Sequence, residues 1–296
     1  MVRETAPQRF RPEAKVGRVA GFSLVELVVV IVITGIIASV IGIVITGPVA
    51  GFFDQARRAE LVDAGQLALI RMGRDLRAAL PNSVRVGGSG TAVELLLTLD
   101  GDRYRTEPPG GPDDQLSFDA ADTSFNTFRP LGAGQVLPAG LRLSVYPLGQ
   151  AGANPYVDAV LTPASVAVDV GAGTSSVGTA TEYRVTMNPA HRFPFASPTH
   201  RVFLVRGPVS YYCAGGNLVR YDGYAVVDPQ PIPPAAPVGG VGAVIVNGRI
   251  ESCRFRYDPG TEQRNAVATI TLALVNPAAP TERVRLVRQI HMDNTP

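Results

Sequence analysis

The chain has 296 residues, with 27 Lys and Arg against 25 Asp and Glu and a net charge of +2. So small an excess excludes the broad basic surface that nucleic-acid binding uses, and 46% apolar residues exclude a mostly disordered chain. The 31 Gly and 25 Pro interrupt most segments, which excludes a helical bundle over most of the length and favours β structure joined by turns.

The first 21 residues carry Arg3, Arg9, Arg11, Lys15 and Arg18 against Glu4 and Glu13. An apolar run from Phe22 to Gly47 follows, with one charge, Glu26. As a helix this run is long enough to cross a hydrocarbon core of roughly 30 Å. Basic residues ahead of it hold the N-terminal side in the cytoplasm. The remainder is therefore expected outside the bacterial inner membrane. A secretory signal has a shorter apolar core with its small residue after it, whereas here Gly21 precedes the run. An ordinary anchor accounts for the length but not for Glu26. A carboxylate so near the start of an apolar stretch is costly and tends to mark function; snorkelling to the headgroups is the plain alternative.

The string GFSLVEL, Gly21 to Leu27, resembles the signal of type IV pilins and of type II secretion pseudopilins. The resemblance implies that prepilin peptidase cuts between Gly21 and Phe22 and methylates the new amino group of Phe22. It also implies that Glu26 takes part in subunit assembly. The chemistry is coherent. Gly lets an extended backbone enter a tight cleft, and a carboxylate in lipid needs a partner, which the Phe22 ammonium of an adjacent subunit would supply. Gly35 with Ser39, and Ala38 with Gly42, give small-xxx-small pairs that permit close helix packing in a membrane.

Pro48 follows the apolar run and is expected to kink or loosen the helix. From 48 to 80 the pattern is amphipathic: Phe52, Phe53, Ala56, Ala64, Leu67, Ala68, Ile70 and Leu76 recur among charged residues at helical spacing. Pro81-Asn82 is the expected stop.

From 81 to 296 the text is β-like. TAVELLLTLDGDRYRTE reads as a hairpin turning at Asp100-Gly101. DQLSFD, LRLSVYPL and EYRVTM read as strands, while 149–178 carries no clear signal. HRVFLVRG, VSYYC, LVRYDGYAVV, RIESCRFRYD, NAVATITLALV and ERVRLVRQIHM read as an antiparallel meander with one wet face. The expected fold class is therefore α+β. The division is a leader (1–21), a transmembrane helix (22–47), an amphipathic continuation (48–80) and a β-rich domain (81–296). The resemblance implies that the long helix packs on the antiparallel sheet, in the manner of pilins.

ARRAELVDAGQLALIRMGRDLRAALPNSVRV, RVFLVRGPVSYYC, CRFRYDPG and the ending QIHMDN resemble the MshO family of the mannose-sensitive haemagglutinin (MSHA) pilus biogenesis set. That likeness implies a minor pilin that helps to initiate or cap a filament. Its partners would be other pilins, the pilus assembly machinery and the inner membrane. The large minor pseudopilin of a type II secretion system is the alternative.

Cys213 and Cys253 do not form a zinc motif, which needs four close ligands. Outside the cytoplasm they are expected to pair as a disulfide stapling neighbouring strands; two buried thiols are the alternative. His191, His200 and His291 lie far apart in sequence, and no serine-hydrolase, zincin or P-loop motif occurs. No cofactor, metal or enzymatic activity is expected. Asp100, Asp102, Asp113 and Asp114 would hold Ca²⁺ only if their loops met. Tyr211, Tyr212, Tyr221 and Tyr224 are expected to pack within a hairpin, with a sugar- or partner-binding face as the alternative.

Overall fold

The computed structural model describes residues 21–106, 115–177, 180–234, 239–260, 264–293 and 296. By internal packing the chain divides into two units, residues 1–55 and 56–296. One helix, α1 (Leu24–Arg77), runs through the division, and Pro48 lies inside it without ending it.

The expected helix reached from Phe22 to Leu80, and the observed one is shorter at both ends. Past Arg77 the chain peels into a sheet. Ala79 bridges to Leu97, the Leu80 N–H donates to the Leu96 carbonyl at 2.8 Å, and the Thr98 N–H donates to the Ala78 carbonyl at 2.8 Å. Sheet partners thus take the groups that another helical turn would use.

In the second unit, α1 buries Leu61, Ala68, Leu69, Met72 and Leu76, a run of helical period. This corrects the expected face, because Leu67 is 68% exposed and Ile70 also points to solvent. Gly65 and Gly73 lie on the buried stripe. A methyl group at Gly65 would overlap Leu274 and Leu286, so glycine is what lets the helix approach the sheet beneath.

Thirteen strands form three antiparallel sheets among the described residues. The first holds β1 (Arg85–Gly87), β2 (Ala92–Arg103), β4 (Arg142–Val145), β8 (Arg201–Ala214), β9 (Asn217–Asp222) and β10 (Val241–Val246). The second holds β3 (Asp122–Thr127), β5 (Ala167–Asp169), β6 (Thr174–Val177) and β7 (Ala180–His191). The third is a meander of β11 (Ile250–Asp258), β12 (Ala266–Asn276) and β13 (Ala279–Met292).

Three expectations fail here. Asp100-Gly101 is no turn, because β2 runs straight through it and pairs with β8, Gly101 opposite Phe203. A Cβ on Gly101 would lie 3.0 Å from the Phe203 ring, so this glycine serves ring packing rather than a reversal. The described part of DQLSFD is not a strand; pairing begins at Asp122, whose carboxylate instead accepts the Ser117 N–H at 2.9 Å. The C-terminal third is not one meander either. β8–β10 belong to the first sheet and only β11–β13 form the third, the break falling at Gly248, whose φ is 62°. The expected turn between Ala214 and Asn217 does join β8 to β9, with Gly215 and Gly216 at φ 58° and 79°.

The largest core lies where α1 meets the first and third sheets. It includes Leu61, Met72 and Leu76 with Leu95, Tyr211, Phe255, Ile270, Leu272 and Ile290. β12 alternates strictly, turning Ala266, Ala268, Ile270, Leu272 and Leu274 into this core. A second core around Phe125, Leu143, Val185, Phe193 and Leu204 joins the second sheet to β4 and β8. Phe203 and Val205, on the opposite face of β8, pack with Leu80, Leu96 and Leu161 in a third.

Polar groups inside are paired across elements. Tyr211 donates its hydroxyl to Asp75 Oδ2 at 2.8 Å, and Arg220 Nε donates to the same oxygen at 2.8 Å, tying α1 to β8 and β9. Burial, and then Asp75, push the Tyr211 phenol above its ordinary range. On the other face of β8, Tyr224 bonds Glu94 Oε1 at 2.7 Å and Ser210 Oγ at 2.6 Å. Arg85 pairs with Glu94 and lies 3.7 Å from the Tyr156 ring. Burial raises the Glu94 carboxyl against the opposing pull of Arg85. Tyr211 and Tyr224 are thus buried on opposite faces, while Tyr212 and Tyr221 are half-buried, so the four tyrosines do not share one surface.

Candidate membrane anchor and N-terminal signal

The first described residues, Gly21, Phe22 and Ser23, precede the helix, which opens at Leu24. Ser23 is the N-cap. Its Oγ accepts the Glu26 N–H at 3.2 Å, and its carbonyl accepts the Leu27 N–H at 3.1 Å. Ser23-Leu24-Val25-Glu26 therefore has the spacing of a capping box, with the acid at the third helical position. A carboxylate there also faces the positive end of the helix dipole. Ser23 escaped the sequence reading although its signal, S-x-x-E before an apolar run, was in plain view.

Gly21 is in extended chain, and an added Cβ there meets nothing within 4 Å. Phe22 is 78% exposed. Cleavage at the Gly21–Phe22 bond would release an amino group one residue before the capping serine. Glu26 is also exposed, on the first turn. Gly21, Phe22 and Glu26 are thus close in the chain around a capped helix start.

From Leu24 to Gly42 the helix has a mean hydropathy of 2.9 over 19 residues, and none of this stretch is buried within the chain. Leu24, Ile31, Ile36, Val40 and their neighbours form a continuous exposed apolar surface. Water disfavours so large an apolar surface, whereas a bilayer or apposed helices accept it. The Ser39 hydroxyl donates to the Gly35 carbonyl at 2.8 Å, which satisfies it inside the helix without a polar partner from elsewhere. Both small-xxx-small pairs are exposed as well. The segment is long and apolar enough to anchor the chain in a membrane.

The second unit holds the remaining residues singled out from the sequence. Cys213 and Cys253 form a disulfide with Cα atoms 6.4 Å apart. It corrects the expected arrangement in one respect, because it joins β8 of the first sheet to β11 of the third rather than two neighbours in one sheet. Asp100 and Asp102 both pair with Arg129, at 3.2 and 3.4 Å, while Asp113 and Asp114 lie outside the described residues. His191 is buried with Nε2 2.9 Å from the Ala159 carbonyl, the His200 ring lies tilted beside Tyr104 with ring centres 5.8 Å apart, and His291 is exposed. Among the described residues no group of three or more His, Cys, Asp or Glu is placed to hold a metal ion.

Residues 17–46 match the family described as Prokaryotic N-terminal methylation motif. That is the type IV pilin and prepilin signal, and it supports a type IV pilin-like or pseudopilin protein fixed in the inner membrane by this helix. No curated protein and no solved structure matches the chain.

Proposed function

We propose that this chain is a prepilin whose mature form starts at Phe22 and enters a filament as a minor pilin of the MSHA type. The observation that carries the reading is the methylation-motif match over residues 17–46, lying across a capped helix start and an uncovered apolar helix. Prepilin peptidase cuts after Gly21 and methylates the Phe22 amine. The helix then anchors the protein in the inner membrane, with the β-rich unit on the periplasmic side. On assembly, Glu26 pairs with the Phe22 ammonium of the adjacent subunit, which sets the axial register, and lipid contacts of the helix are exchanged for helix contacts. The MSHA assignment draws its support from the resemblance of 56–86, 201–213 and 253–260 to that biogenesis set.

The test is the N-terminus of the protein extracted from membranes, read by mass spectrometry in strains with and without prepilin peptidase. The expected product is N-methyl-Phe22 with the peptidase and an intact leader without it. A bulky residue at Gly21 should block processing. A mature start elsewhere would overturn the reading.

A further inference from the structure

The link between β10 and β11 holds Asn247 and Gly248, both exposed to solvent. It is the single Asn-Gly step in the sequence. Such a step carries a chemistry of its own. The glycine backbone nitrogen, once it has given its proton to solvent, can attack the side-chain carbonyl carbon of the asparagine before it. Glycine has no Cβ to shield that nitrogen. A bond forms between Gly248 N and Asn247 Cγ, the bond from Cγ to Nδ2 breaks, and Nδ2 leaves as ammonia with a proton from solvent. Water then opens the cyclic imide. Opening at one carbonyl gives aspartate. Opening at the other gives isoaspartate, whose backbone is longer by one methylene.

In the folded chain the nucleophile is occupied. The Gly248 N–H donates to Asn217 Oδ1 at 2.7 Å, the short end of the range for such a bond. That proton must leave before the ring can close, and the bond retains it on nitrogen. Neighbouring contacts fix the arrangement. The Gly216 carbonyl accepts the Ile250 N–H at 2.9 Å, and a Cβ on Gly216 would lie 3.5 Å from Gly248 Cα. The turn between β8 and β9 is thus seated on the link. Gly248 has φ 62°, a conformation that glycine adopts without strain. Val246 and Ile250, on either side of the link, are buried in the largest core, and the Arg249 carbonyl accepts the Val275 N–H at 2.9 Å. An extra methylene in the link would displace the start of β11 against β12.

We propose that Asn247 is a site of spontaneous modification, converting to aspartate and isoaspartate through a cyclic imide with Gly248, and that Asn217 holds the reaction off in the folded protein. Asn217 acts as a positioning residue, through the proton on Gly248 N. The site is closed while the β8–β9 turn is seated on the link and open when the turn lifts. Conversion therefore records the time that the junction between the first and third sheets has spent open. The inference is independent of how the N-terminal signal is processed.

The test incubates the full chain in detergent at mildly alkaline pH and follows the tryptic peptide from Tyr221 to Arg249, in which Asn247 is the sole asparagine. Mass spectrometry reads the change from amide to acid. Asn217→Ala should convert about fivefold faster than the parent, the factor that one ordinary hydrogen bond is worth. Asn217→Asp keeps an acceptor for the Gly248 N–H and should convert no faster than the parent. In denaturant all three proteins should convert at one rate, above that of the folded parent. Residue-resolved amide hydrogen exchange separates a lost bond from a loosened fold. In Asn217→Ala the Gly248 N–H should lose protection while the Ile250 N–H, bonded to Gly216, keeps it. Equal rates in Asn217→Ala and the parent, a parent that converts no faster in denaturant, or loss of protection at both amides would each overturn the proposal.

Discussion

The Ser23 hydroxyl accepts the Glu26 backbone N–H at 3.2 Å. The acid four residues past the Phe22 amine is thereby fixed on the first helical turn. Two roles for Glu26 follow from one geometry. At the third helical position, the acid of a capping box, it steadies the start of the helix, and in the proposed filament its charge would meet a cationic partner on another chain. The roles separate by mutation. Ser23→Ala removes the cap, costing about 1 kcal/mol of helix stability, but leaves the charge. Glu26→Gln keeps a side chain able to complete the box but removes the charge. Filament number and subunit crosslinking should survive Ser23→Ala and fail in Glu26→Gln, with processed protein at normal levels in both. Equal loss in the two variants would reduce Glu26 to a capping residue.

The Cys213–Cys253 bridge closes a loop of 40 residues and joins the first sheet to the third, which also share a core and the bond from the Ile250 N–H to the Gly216 carbonyl at 2.9 Å. Loop-closure entropy on that scale corresponds to roughly 3–4 kcal/mol. Cys213→Ser/Cys253→Ser should lower stability by that order in denaturant unfolding, and the parent protein should lose the same amount under reducing conditions. The double variant should be insensitive to reductant. A parent protein whose midpoint ignores reductant would show that the cysteines are not bridged.

Asp100 supplies a pH dependence. Burial by itself raises its carboxyl, but hydrogen bonds from the Gly132 and Gly101 amides and from Arg129 outweigh burial and leave it below the ordinary 3.8. With the folded value depressed, the unfolded chain binds the extra proton in the window between the two. Stability therefore rises with pH through that window, is complete above 3.8, and is lost as pH falls toward the folded value. Asp100→Asn should accordingly destabilise the protein near neutral pH, and the gap from the parent should shrink in acid below about pH 3.8. Urea midpoints of both proteins across this range check it. A gap of constant size would assign the effect to hydrogen-bond geometry instead of charge.

Much of the anchor was legible in the sequence because its physics is local. A 26-residue apolar run, Phe22 to Gly47, declares a membrane helix wherever the rest of the chain goes, and the GFSLVEL string sits in consecutive residues. The α+β class and the β11–β13 meander were legible for the same reason, since alternation and short turns join neighbours in sequence. What only the tertiary structure decided is long-range. β2 pairs with β8, about a hundred residues on, and that pairing, not the Asp-Gly dipeptide, determines the course of the chain at Asp100. The first and third sheets decide which side of α1 is buried, covering Leu69 and Met72 and leaving Leu67 and Ile70 exposed, and Gly65 allows the close approach to Leu274 and Leu286 on that side. Arg103 and Arg201 likewise face each other only because two distant strands come into register. Sequence periodicity states that a face is apolar, but which distant face covers it is settled by packing among segments that no local window contains.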